Sequence, residues 1–158
     1  MRIYLVQHGD ALAKDIDPAR SLSEKGRADV TAVAHLLARS GIVVARVVHS
    51  GKPRAAQTAD ILAAHLAPGI AIETMDGLAP NDPVEPVASA LSTTAADIML
   101  VGHLPFMGKL AARLVTGNEN LSMAAFVPGT VLCLEAGDDG DFSIVWMMGP
   151  ALARRDTD

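Results

Sequence analysis

The sequence predicts an α/β fold: a mostly parallel central sheet with helices on both faces and a C-terminal antiparallel hairpin. Three observations carry this expectation. Ile3-Tyr4-Leu5-Val6 and Ile98-Met99-Leu100-Val101 are apolar without alternation, the pattern of strands buried on both faces of a parallel sheet. Helical-period segments alternate with short apolar runs from the N-terminus to about residue 117. Beyond that point, residues 130–135 and 142–148 are strand-like and flank Asp138-Asp139-Gly140, a hairpin signal.

Each element follows from local chemistry. The first strand, residues 2–7, runs into His8-Gly9-Asp10, and a polar loop follows to residue 21. Ser21-Leu22-Ser23-Glu24 has capping-box spacing, with Ser23 a competing cap. The helix behind it spans residues 24–39, with Val30, Val33, Ala34 and Leu37 on one face and Gly41 as its stop. Residues 46–49 form a second strand. Ser50 is placed to cap a helix over residues 52–66, where Pro53 fits the first turn. Pro68-Gly69 leads into a third strand at residues 70–72, and a loop and a short helix at 84–91 follow. The fourth strand, residues 98–102, ends at His103, and Pro105 is suited to a first helical position. Gly117 ends that helix. Residues 1–158 read as one domain without repeats or linkers.

Composition narrows the function classes. A formal net charge of −5 argues against a general nucleic-acid binder or a protein held to an anionic membrane. Cys133 is the only cysteine, which rules out an intrachain disulfide or a cysteine-rich metal site. The apolar N-terminal run is too short for a signal peptide or a membrane span, so a cytoplasmic protein is expected.

Chemistry concentrates at the strand ends. Ligands of open α/β sheets bind in the crevice at the carboxyl ends of the strands, and both buried strands deliver a histidine there, His8 and His103. Arg20, from the loop after the first strand, and Arg54, from the first turn of the second helix, can reach the same rim. A helix start near Pro105 adds backbone N–H groups. Two imidazoles, two guanidiniums and a helix end suit a dianionic phosphoryl group. One neutral imidazole can attack phosphorus, and the remaining groups can neutralise charge on its oxygens. His8, His103 and Asp10 together are too sparse for a metal site.

These residues resemble a known family. Leu5-Val6-Gln7-His8-Gly9-Asp10 is similar to the Arg-His-Gly signature of the histidine phosphatase superfamily, the phosphoglycerate mutase-like proteins. Ser50-Gly51-Lys52-Pro53-Arg54-Ala55-Ala56-Gln57-Thr58 resembles that family's Ser-Pro-x-x-Arg-x-x-Gln-Thr helix start. Gly102-His103-Leu104-Pro105 and Trp146-Met147-Met148-Gly149-Pro150 resemble segments of the short, SixA-like phosphohistidine phosphatases. The resemblance implies a metal-independent phosphatase without a cofactor. In it His8 is the nucleophile, His103 the second histidine, and Arg20, Arg54, Gln7 and Gly9 bind phosphate.

Two positions depart from the family pattern: Gln7 replaces an arginine and Gly51 a proline. Gln7 keeps an amide donor but loses charge and the bidentate fork. One hydrogen bond to a charged group is worth roughly 1.5–3 kcal/mol. Enzymatic acceleration is about 8 kcal/mol or more, so the change is expected to weaken catalysis without abolishing it.

No carboxylate stands out as a proton donor. Asp10, Asp76, Asp82 and Glu85 all read as loop or cap residues. A leaving group that departs unaided is therefore favoured, and protonated phosphohistidine leaves as imidazole, whose conjugate acid has a pKa of about 6.5. The expected partner is a phosphorylated protein such as a histidine-containing phosphotransfer domain, or else a small phosphoester. A phospho-ligand-binding domain without catalysis and a phosphatase for aryl phosphoesters are the alternatives.

Overall fold

The computed structural model describes residues 1–155; the last three residues of the predicted domain lie outside the described residues. The elements are β1 (Arg2–Gln7), α1 (Glu24–Arg39), β2 (Arg46–His49), α2 (Pro53–Leu66), β3 (Ile72–Thr74), α3 (Glu85–Ser92), β4 (Ile98–Gly102), α4 (Phe106–Thr116), β5 (Val131–Ala136), β6 (Phe142–Met148) and α5 (Pro150–Arg155). They form one six-stranded sheet in the order β3-β2-β4-β1-β5-β6. The first four strands of that order run parallel, and β5 and β6 pair antiparallel at the other edge.

The unalternated apolar runs of β1 and β4 are explained by burial on both faces. Tyr4, Val6, Met99 and Val101 point into a core made with α1, α2 and α5, where Val33, Leu37, Leu62 and Leu66 are fully buried. Ile3, Leu5, Ile98 and Leu100 face the second core, with Leu91, Phe106, Met107 and Leu110. Cys133 is buried in the first core, and burial pushes its thiol up to about 11, consistent with a small hydrophobe rather than a reactive group.

β1 and β4 are neighbours, yet their following helices pack on opposite faces: α1 in one core, α4 in the other. That divergence opens a crevice at the strand tips. Residues after β1 are pressed tightly against α1. A Cβ on Gly26 would stand 2.1 Å from the Asp10 carbonyl oxygen, so only glycine permits this approach. Ser23 caps α1 by accepting from Gly26 N at 3.0 Å and donating to Asp10 Oδ2 at 2.5 Å.

Three expectations are corrected. The third strand is Ile72–Thr74, two residues later than predicted, because pairing with Val47, Val48 and His49 selects it; Ile70 follows a turn and is exposed. Ser50 does not cap α2, whose cap position is Lys52 without a side-chain bond. Pro105 precedes α4 at its cap position instead of occupying the first turn. The tail beyond β6 forms α5, pinned where Arg154 Nε meets the buried Asp29 Oδ1 at 2.7 Å. No helix among the described residues is long and apolar enough to cross a membrane.

Candidate active site

β1 and β4 carry His8 and His103 into the crevice with ring centroids 5.0 Å apart and planes inclined by 56°. His8 is anchored by main chain: its N–H bonds Gly102 O at 2.9 Å, and its carbonyl accepts from Gly129 N at 3.1 Å. Its Nδ1 lies 2.7 Å from the Gly9 carbonyl oxygen. A carbonyl only accepts, so Nδ1 carries the proton and Nε2 keeps its lone pair. Arg54 Nε donates to Nε2 at 3.2 Å.

Arg54 arrives from the first turn of α2, and a single hydroxyl ties that turn to the loop after β1. Thr58 Oγ1 accepts from Gly9 N at 3.0 Å and donates to Arg54 O at 2.8 Å. Gln57 Oε1 accepts from Leu22 N at 2.8 Å, fastening α2 to the segment before α1. Arg20 has a positive φ of 53°, a conformation uncommon outside glycine and enriched at functional sites. Its Nε donates to Leu12 O at 3.3 Å.

The field of the crevice is positive. Burial holds the His8 pKa below its ordinary value against the pull of the Gly9 carbonyl, and the charges of Arg54 and Arg20 add to the lowering. Burial, His8, Arg54, Lys52 and Arg20 together push His103 down to about 3. Arg54 itself is lowered by burial and by Arg20. Such a set of neutral imidazoles among cations is complementary to a phosphoryl anion.

His8, His103 and Arg54 are thus brought together, Arg20 acts through its charge, and Gly9 contributes its carbonyl and N–H. Gln7 ends β1 opposite Gly102 and is buried, with Oε1 lacking a partner. Sequence reasoning missed what Ser50, Lys52, Gln57 and Thr58 do individually, although all four lie in the segment that resembled the family helix start. Ser50 Oγ stands 2.6 Å from His103 Nε2. His49 Nδ1 turns away to accept from Gly51 N at 3.0 Å. Three of the four carboxylates weighed as proton donors are bonded to other groups: Asp10 to Ser23, Asp82 to Ala79 N, and Glu85 to Arg113. Among the described residues no group of three or more His, Cys, Asp or Glu side chains is arranged to hold a metal ion.

An unprotonated imidazole nitrogen beside a guanidinium group in a parallel-sheet crevice is suited to phosphoryl transfer. Residues 3–81 match the sequence profile of the histidine phosphatase superfamily, branch 1. The chain belongs to that superfamily, as a SixA-like phosphatase of phosphoglycerate mutase-like fold. It is 26% identical over 155 residues to the phosphohistidine phosphatase SixA of Escherichia coli strain K12, covering 95% of this chain and 94% of that one. A solved structure of the protein histidine phosphatase SixA complexed with tungstate superposes with a TM-score of 0.85 at 25% identity, over 96% of this chain and 99% of the other. The mouse mitochondrial serine/threonine-protein phosphatase PGAM5 is 34% identical over 89 residues, covering 53% of this chain and 29% of that protein. Relatives named for such different phosphoproteins leave the choice of substrate to the site itself.

Proposed function

We propose that the chain removes a phosphoryl group from phosphohistidine on a cytoplasmic signalling protein, with His8 as the transiently phosphorylated nucleophile. The observation that carries this reading is the His8 Nδ1–H bond to the Gly9 carbonyl, which leaves the Nε2 lone pair facing Arg54. Nε2 forms a bond to phosphorus as the substrate P–N bond breaks. The electron pair of that bond stays with the substrate imidazole, which departs neutral with its proton on the distal nitrogen. The His8 proton stays on Nδ1, hydrogen-bonded to Gly9 O, throughout. Water then attacks the phosphorus, the electron pair of the His8–P bond returns to Nε2, and both protons of the water leave with the inorganic phosphate. Arg54 and Arg20 neutralise the phosphoryl oxygens during both steps, and the neutral His103 imidazole offers them a hydrogen bond.

Two observations support phosphohistidine over an alkyl phosphoester. Asp10, Asp82 and Glu85 are bonded to Ser23, Ala79 N and Arg113 respectively, and among the described residues no carboxylate is hydrogen-bonded to either imidazole, so a leaving group that needs no strong acid is favoured. The SixA relatives are named as phosphohistidine phosphatases, and the tungstate of the solved one is an oxyanion of phosphate-like shape. Gln7 and the backbone N–H groups at the start of α4 complete the proposed anion pocket, and Gly9, whose N–H is bonded to Thr58 and whose carbonyl is bonded to His8, orients the nucleophile beside it.

The test uses a phosphotransfer protein labelled with ³²P on histidine. Rapid acid-labile labelling of the wild-type chain, mapped to His8, followed by release of inorganic phosphate is the expected result. Faster turnover of p-nitrophenyl phosphate than of the phosphoprotein, judged by kcat/KM, would assign the chain to aryl phosphoesters instead.

A further inference from the structure

The two crevice imidazoles are held differently. His8 has Nδ1 on the Gly9 carbonyl and Nε2 on Arg54 Nε, an acceptor and a donor that dictate the tautomer. The partner of His103 is the Ser50 hydroxyl, which can donate or accept, so the tautomer depends on where the hydroxyl proton goes. Ser50 follows β2 directly, and its N–H bonds Val101 O at 3.3 Å, which sets the hydroxyl beside the tip of β4. Ser50 Oγ lies 2.6 Å from His103 Nε2 and 3.4 Å from Lys52 N. The Lys52 N–H only donates, so it takes one of the two Oγ lone pairs, and the Ser50 O–H still needs an acceptor. His103 Nε2 is at the short distance of a donating hydroxyl, and Ser50 has no other side-chain partner among the described residues. Nε2 is therefore the lone-pair nitrogen, and Nδ1 bears the proton. Nδ1 is buried and without a partner among the described residues, and a buried N–H is rarely left unpaired in a native protein.

We infer that Ser50 is a positioning residue: by donating to His103 Nε2, it holds that imidazole as the Nδ1–H tautomer, so that Nδ1–H meets an oxygen of the phosphoryl group in transfer. The inference rests on the proposed phosphoryl transfer to His8. A neutral imidazole has a single N–H, so its tautomer decides whether it offers the ligand a donor or a lone pair. A lone pair facing a phosphoryl oxygen would repel it. Burial and the surrounding positive groups keep His103 neutral, which leaves the tautomer in control. Ser50 retains its proton and does not touch the phosphorus.

Proton–nitrogen correlation NMR of ¹⁵N-labelled protein reads this directly, with the His103 signals assigned by their loss in His103→Gln. The expected spectrum has a protonated Nδ1 and a lone-pair Nε2 on His103. Ser50→Ala should mix the two tautomers and lower kcat/KM on the order of tenfold, the effect of one neutral hydrogen bond, with His8 still labelled. Ser50→Thr, which keeps a hydroxyl, should restore both the spectrum and the rate. An Nε2–H tautomer in the wild-type protein overturns the inference, as does a Ser50→Ala variant with unchanged tautomer and unchanged rate. The wild-type spectrum decides the point even if Ser50→Ala fails to fold. Because it is recorded without substrate, it stays separate from a failure of His8 labelling, which would instead remove the proposed reaction.

Discussion

β1 finishes on Gln7-His8-Gly9 and β4 on Val101-Gly102-His103, so adjacent parallel strands each end with a histidine beside a glycine. What holds the two rings differs. His8 is secured by main chain, with its own N–H, its carbonyl and its ring Nδ1 all bonded to backbone. The loop behind it is packed so closely that a Cβ on Gly9 would stand 2.8 Å from Val30 Cγ2. His103 meets the side chain of Ser50, just beyond β2, and its Nδ1 has no partner among the described residues. In the proposed reaction, the group that must present a lone pair along one line is built on rigid backbone, and the group that answers the ligand is set by a single hydroxyl.

The sharpest way to break this contrast is to delete each ring. His8→Ala is expected to abolish turnover and acid-labile labelling, whereas His103→Ala should still label on His8 with turnover slowed by about 10²–10³, the usual loss for one stabilising donor. Surviving turnover in the first variant, or no labelling in the second, would exchange or merge the two roles. Arg54→Ala should lower kcat/KM by about 10² and also move its acid limb. Neutral His8 is the attacking form, and its pKa lies below the ordinary value of 6.5, so activity should persist below pH 6.5. Removing the Arg54 charge raises that pKa and shifts the limb upward. A limb that does not move would separate Arg54 from His8.

Stability offers a probe of the other ring. His103 has a folded pKa of about 3 against an ordinary 6.5, so between those values the unfolded chain binds the extra proton. Stability is then complete above pH 6.5 and falls as the pH drops through that window, at up to about 1.4 kcal/mol per pH unit. Denaturant unfolding at several pH values should give a flatter profile for His103→Gln, and an unchanged slope would mean the ring is not held neutral. The smallest effect is at the loop behind His8. Ser23→Ala, measured by thermal unfolding, should cost about 1 kcal/mol through the lost α1 cap, with little change in rate because Gly9 is held separately by Thr58.

Much of this arrangement was legible before any coordinates. The bounds of α1 and β6 and the fourth strand match the sequence reading, because capping residues, helical period and unbroken apolar runs report local requirements. His8, His103, Arg20 and Arg54 were legible as candidates by residue type at strand ends and by their likeness to the family segments, and the structure brings His8, His103 and Arg54 together. Ser50 shows why the rest was hidden. By spacing it is an ordinary helix cap, and only the pairing of β2 with β4 sets its hydroxyl against His103. The third strand was displaced for a related reason: Ile70 is the more apolar residue, yet the pairing partner on β2 selects Ile72–Thr74.

By itself, then, the sequence determined the α/β alternation, the two doubly buried strands and the residue types delivered to their tips, since each depends on side-chain period and burial along a short stretch. Tertiary structure alone decided that Ser50 meets His103, that Thr58 joins the Gly9 loop to α2, and that buried Asp29 anchors the final helix. Those depend on hydrogen-bond partners dozens of residues away, and a donor and an acceptor recognise each other by distance and angle in space, which no local pattern records.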